Sequence, residues 1–145
     1  MKEMLLADLK VSMRDKNEIA KNTISMLRAA ILQVEKDNQK TVTDEEIGII
    51  VQKEVKKRRE SIPDFEKALR NDIVESLNKE IEVLNKYLPK QLTEEEIKAL
   101  ITNAISETGA SNARDMGKVM QFIKPEIQGK ADGKIVSELV KGMLI

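Results

Sequence analysis

The sequence predicts an all-α protein, with an N-terminal helical hairpin array of about four helices and a small C-terminal three-helix domain. Three observations carry that prediction. Apolar residues recur at helical spacing along most of the chain. Six glycines and three prolines fall mainly where helices should start or stop. Two Thr-x-x-Glu signatures, Thr43 to Glu46 and Thr93 to Glu96, mark helix N-termini by the reciprocal satisfaction of orphan amides.

A first helix from about Lys2 to Arg14 aligns Met4 or Leu5 with Leu9 and Met13. Asn17 is placed to cap a second helix to about Asp37, whose Ile19, Met26, Leu27, Ala30, Ile31 and Val34 form a broad apolar face. The box at Thr43 opens a third helix to about Arg59, and Ser61-Ile62-Pro63 is expected to break or kink the chain there. A long fourth helix to about Tyr87 keeps Leu69, Ile73, Leu77, Ile81, Leu84 and Leu88 on one side until Pro89. A domain boundary is expected near Lys90, dividing the chain into residues 1–90 and 91–145. Thr93 then opens a fifth helix stopped by Gly109, and two shorter helices follow, about Ala113 to Ile123 and Asp132 to Leu144, separated by Pro125 and Gly129.

Composition narrows the chemistry. The chain has 25 basic and 25 acidic residues, so no global field draws it to nucleic acid or a membrane, and any such binding must be local. Without cysteine or histidine it lacks thiolates, the commonest general base and the commonest transition-metal ligand. No cofactor, metal or independent catalytic residue is expected. Met1 to Asp8 offers only four apolar residues before a charge and no run is long enough to span a bilayer, which leads us to expect a cytoplasmic protein. With two phenylalanines, one tyrosine and no tryptophan, a base-stacking platform is poorly supported.

Several charged groups invite a functional reading. Lys53, Lys56 and Lys57 lie opposite Ile47, Ile50, Val51 and Val55, so they either form a solvated face or contact phosphates. Arg58 falls within the apolar arc beside Glu54, which suggests a partly buried ion pair or a contact with an acid of a neighbouring helix. Glu66, Arg70 and Glu80 fall near the apolar arc of the fourth helix. There Glu66 can satisfy Arg70, and Glu80 can meet Arg58 or Arg70 in a structural network. Gly129-Lys130-Ala131-Asp132-Gly133-Lys134-Ile135 fails as a phosphate loop, having three residues between its glycines and Ile135 where serine or threonine is needed. Its ordinary reading is a turn at Gly129 with Asp132 capping the last helix. Lys118, Lys124, Lys130 and Lys134 nevertheless make an anion-contacting patch there an open alternative.

Ser25-Met26-Leu27-Arg28, Lys53 through Glu60-Ser61, Phe65, Arg70, Tyr87 through Leu92, Met116 through Met120 and Gly129 through Gly133 occur in an order and spacing that resembles the YqeY-like (GatB/YqeY) proteins. The resemblance covers essentially the whole chain. Its last 55 or so residues look like the tail domain of the B subunit of the tRNA-dependent amidotransferase, which converts misacylated Glu-tRNA or Asp-tRNA to the amide form. The resemblance implies a tRNA-contacting role at Gly117, Lys118, Gly129, Lys130 and Lys134 and no catalytic residue, since transamidation in that enzyme belongs to other domains. The expected function is therefore a non-catalytic, tRNA-associated accessory module. The alternatives are an adaptor for a translation or amidotransferase component and, last, part of a carbon-nitrogen ligase that uses glutamine as amide donor. Neither membrane nor DNA is an expected partner.

Overall fold

The computed structural model describes residues 1–144, and among them every regular element is helical. In chain order these are α1 (Lys2–Arg14), α2 (Glu18–Asn38), α3 (Asp44–Lys67), α4 (Asn71–Asn85), α5 (Glu94–Thr108), α6 (Met116–Ile127) and α7 (Gly133–Met143), with one 3-10 turn, Ala113–Asp115, leading into α6. The chain divides into two compact units, Met1–Leu88 and Pro89–Ile145.

In the N-terminal unit Leu5, Leu27, Ile31, Ile47, Val51, Leu84 and Tyr87 are buried together. Asn17 caps α2 by accepting the Ala20 amide (3.1 Å), as its position predicts. At Thr43 both halves of the box close: the hydroxyl accepts the Glu46 amide (3.2 Å) and the Glu46 carboxylate accepts the Thr43 amide (3.4 Å). Expected core positions Met13 and Met26 are instead exposed, because burial on α1 centres on Leu5 and Ser12 and on α2 on Ile24, Leu27 and Ile31.

Pro63 does not break the chain. The residue lies inside α3, which continues to Lys67. A proline removes one amide and crowds the carbonyl four residues back, here Arg59, but half-buried Ile62 and Phe65 hold the following turn, and the Ser61 hydroxyl donates to the Arg58 carbonyl (2.8 Å). The break falls at Leu69, which takes a left-handed conformation (φ 57°). The Arg70 amide reaches back to the Phe65 carbonyl (2.9 Å) and the Leu69 amide to that of Glu66 (3.1 Å), a Schellman closure without glycine. Two expectations fall with it. Leu69 is 83% exposed rather than part of an apolar stripe, and Arg70, now outside the helix, pairs with Asp72 (3.2 Å) rather than Glu66.

The C-terminal unit buries Ile97, Ile101, Ala104, Val119, Ile123, Ile127, Val136 and Val140 around α5, α6 and α7. Thr93 caps α5 by accepting the Glu96 amide (3.2 Å), but the expected box closes on that side alone, because the Glu96 carboxylate accepts the Thr93 hydroxyl (3.2 Å) and not its amide; Gly109 closes the helix in the left-handed region (φ 70°). Pro125 also lies inside a helix. Burial of Ile127, continuing the Val119 and Ile123 stripe, carries α6 one turn beyond the expected end. Asp132 caps α7 by accepting the Lys134 amide (2.9 Å).

Candidate nucleic-acid interface and the buried polar groups

The C-terminal unit separates its charge along the sequence. Residues 111–145 hold six basic side chains (Arg114, Lys118, Lys124, Lys130, Lys134, Lys141) against four acidic ones (Asp115, Glu126, Asp132, Glu138), whereas α5 carries Glu94, Glu95, Glu96 and Glu107 against Lys98 alone. Lys118, Lys124, Lys130 and Lys134 are all exposed. Lys118 lies 3.8 Å from Asp115, a loose exposed pair worth little. Its partner Asp115 has its carboxyl held below the usual range, chiefly because it accepts the Ser111 amide. Lys124, Lys130 and Lys134 make no ion pair among the described residues, so their cations remain available to an outside anion.

Gly129 has a different place from the lysines. It is buried in a left-handed turn (φ 75°), and its carbonyl accepts the Gln91 side-chain amide (2.9 Å) while the Lys130 carbonyl accepts the Leu92 amide (2.8 Å). The turn thereby ties the start of the unit to the lead-in of α7 and fixes where Lys130 emerges.

Gly117 is exposed as the second residue of α6, and Gly133, which the sequence alone does not mark as a site, is exposed as the first residue of α7. Neither takes a left-handed φ, and a methyl group built on either would meet nothing within 4 Å. Packing within the chain therefore does not explain a residue that weakens a helix by about 1 kcal/mol relative to alanine. Each of these glycines directly precedes an exposed lysine, Lys118 and Lys134. That recurrence was visible in the sequence, but its meaning depends on the open space around each backbone.

On α3, Lys53 and Lys57 are exposed and make no ion pair among the described residues, while Lys56 lies 3.9 Å from Glu60. Arg58 behaves as its position predicts. Only 6% exposed, it pairs with Glu54 (2.8 Å), donates also to the Glu54 carbonyl (3.0 Å) and lies 3.7 Å from Glu80 of α4. Its Nε has no partner among the described residues.

Tyr87 and Asp8 are the other internal polar pair. Tyr87 is 2% exposed and donates its hydroxyl to Asp8 (2.5 Å), whose carboxylate also meets Lys86 (3.0 Å). The Tyr87 bond, then Lys86, holds the Asp8 carboxyl below its ordinary value; burial, then Asp8, pushes the Tyr87 phenol far above the usual range. Near neutral pH the aspartate is ionised and already satisfied, and the phenol keeps its proton. This arrangement ties α1 to the end of α4 and provides no poised acid or base.

No group of three or more metal-ligating side chains occurs among the described residues, and no helix among them is long and apolar enough to cross a membrane. A protein of Pyrenophora tritici-repentis named "Altered inheritance of mitochondria protein 41, mitochondrial" is 35% identical over 140 residues, covering 94% of this chain and 77% of that protein. Its namesake in Clavispora lusitaniae is 31% identical over 126 residues, covering 85% and 74%. The family described as "Yqey-like protein" matches residues 2–144, and on that extent the chain belongs to the YqeY-like family.

Proposed function

We propose that this protein is a non-catalytic, tRNA-associated accessory module whose C-terminal unit contacts RNA phosphates. The observation that carries the reading is the pair of glycines, Gly117 and Gly133, each open to solvent and followed by an exposed lysine in the first turn of a helix. A bare backbone beside a cation suits close approach by a phosphate, whose oxygens meet the lysine charge at the exposed helix start; at α6 the Met116 amide already donates to the Ala113 carbonyl, so the Lys118 ammonium carries the contact there. At α7 the Asp132 carboxylate already caps Lys134, so the phosphate there meets the Lys134 ammonium and the Gly133 backbone at the rim. Lys124 and Lys130 are further exposed cations of the same unit, Gly129 acts through the turn that presents Lys130, and Lys53, Lys56 and Lys57 supply a second, independent patch. The cytoplasm remains the proposed location for this chain, although the fungal relatives carry a mitochondrial name.

The test is binding of purified protein to bulk tRNA across a salt series. Affinity falling linearly with log salt, with a shallower slope in the Lys118→Ala/Lys130→Ala/Lys134→Ala variant, supports the reading. Gly117→Ala and Gly133→Ala separate binding from folding. Each should leave or raise helix stability by up to about 1 kcal/mol while weakening RNA binding. Absence of binding at low salt, or equal binding by the lysine variant, overturns the proposal.

A second reading, an adaptor docking on a translation or amidotransferase component, is favoured by Phe122 (43% exposed) and Ile135 on the same unit. Salt-insensitive binding to such a protein, lost on Phe122→Ala but retained in the lysine variant, would select it. A contribution to a carbon-nitrogen ligase ranks last, because Tyr87 and Asp8 are engaged with each other.

A further inference from the structure

A groove of about 470 Å³ runs between α1 and α2 in the N-terminal unit. Its floor is apolar, with Leu5 and Ile31 fully buried, and two large side chains on its walls stay accessible, Leu6 (39% exposed) and Leu32 (53%). Four charged residues also line it, and they divide into two kinds. Lys2 and Glu35 bind each other across the groove. Glu3 on the α1 wall and Arg28 on the α2 wall are exposed and make no ion pair among the described residues.

We propose that this groove is the seat of a second copy of the same chain, in an isologous pair centred on Leu6 and Leu32. The argument is one of charge and register. A surface carrying one unsatisfied cation and one unsatisfied anion is complementary to itself under two-fold symmetry, because whatever Arg28 meets in the partner, the partner's own cation meets in return. The Lys2 to Glu35 pair sets the antiparallel register of α1 and α2. At a rise of 1.5 Å per residue, Glu3 then lies about 4.5 Å along the groove to one side of Leu6, and Arg28 lies roughly 4.5 Å to the other side. A two-fold axis lying in the face of the groove, diagonal to it at the level of Leu6, exchanges the two levels and the two walls together, bringing Arg28 of each copy alongside Glu3 of the other. The leucines meet at the centre and the charges close the rim, the usual order of a specific interface. Zero net charge removes long-range repulsion between copies.

Sedimentation velocity of the full chain, from low to high micromolar concentration at moderate salt, tests the proposal. The wild-type sedimentation coefficient should rise with concentration towards that of a dimer. Arg28→Glu and Glu3→Arg should each weaken association about tenfold or more by placing like charges together, and the double swap should restore it to within about threefold. Leu6→Gln, at an accessible position, should abolish association while helicity and Tyr87 fluorescence stay as in the wild type. A wild type that stays monomeric throughout overturns the proposal. So does a dimer indifferent to all three substitutions, or a double swap no better than the single ones.

Discussion

In the N-terminal unit the left-handed residues that close α1, α2 and α3 are Lys16, Gln39 and Leu69, at φ of 56°, 51° and 57°. In the C-terminal unit the left-handed positions are Gly109 and Gly129, at 70° and 75°. The interiors differ in the same sense. Arg58, Thr23 and Ser12 are buried in the N-terminal unit, whereas buried side chains in the C-terminal unit are apolar among the described residues. The N-terminal unit thus tolerates local costs, about 1 kcal/mol or more for each non-glycine left-handed residue, that its tertiary packing must offset. The C-terminal unit avoids that cost by placing glycine at both of its left-handed positions.

The sharpest test of that offset is Arg58→Ala. Removing the buried cation leaves Glu54 and Glu80 as an uncompensated acidic pair in partly buried surroundings, and should destabilise the N-terminal unit by about 3 kcal/mol. Tyr87 is the only tyrosine and there is no tryptophan, so its fluorescence during urea unfolding reports this unit alone. An unchanged midpoint would show that the network is incidental to stability.

Tyr87→Phe should cost about 2 kcal/mol near neutral pH, the size of a hydrogen bond to a charged group, followed by helical circular dichroism. Its pH dependence is the more telling measurement. The phenol is raised above its ordinary value of 10.0, so its contribution is present below pH 10.0 and lost as pH rises through the folded value. Asp8 is lowered from 3.8, so its contribution is present above pH 3.8 and lost as pH falls through the folded value. The variant should lose the alkaline limb entirely. It should retain part of the acid limb, because Lys86 still holds Asp8.

Left-handed positions provide a pair of opposite signs. Gly129→Ala should destabilise the C-terminal unit by about 1 kcal/mol, since alanine pays the steric cost that glycine avoids. Leu69→Gly should stabilise the N-terminal unit by about 0.5–1 kcal/mol, because an 83% exposed side chain gives up little burial and the left-handed strain is relieved. Hydrogen exchange resolved by segment assigns each change to its unit. Destabilisation by Leu69→Gly would mean that the exposed leucine makes a contact outside the chain's own fold.

The same contrast explains which parts of the structure were legible. Asn17, Thr43, Thr93, Gly109 and Asp132 act through their own side chain or backbone freedom, and their places as caps and stops were read correctly from sequence, although at Thr93 the reciprocal bond from Glu96 does not form. The end of α3 depends instead on Leu69 adopting a conformation that leucine disfavours, so no local signal pointed there. Pro63 gave a strong signal in the wrong place, and Pro125 did the same in α6, because one lost amide is outweighed when apolar residues on the far side still bury. Arg58 was legible as a charge inside an apolar arc, and Glu80 was one of its expected partners. The lysines were legible as types and faces, whereas the open space around Gly117 and Gly133, on which the proposed phosphate contact rests, is a property of the folded chain.

Thr23 offers the smallest expected effect and the finest probe of the comparison. Its side chain is buried and its hydroxyl has no hydrogen-bond partner among the described residues. A threonine in a helix interior commonly donates to a carbonyl one turn back, and a hydroxyl that does so resists replacement. An unsatisfied one has already lost its hydration without return, so Thr23→Val, which keeps the shape and removes the polar atom, should be neutral or stabilising by up to about 1 kcal/mol. Tyr87 fluorescence in urea resolves a change of that size. A loss of 1 kcal/mol or more would show that the hydroxyl is satisfied in solution, and that the N-terminal interior tolerates one unpaired polar group fewer than its structure indicates.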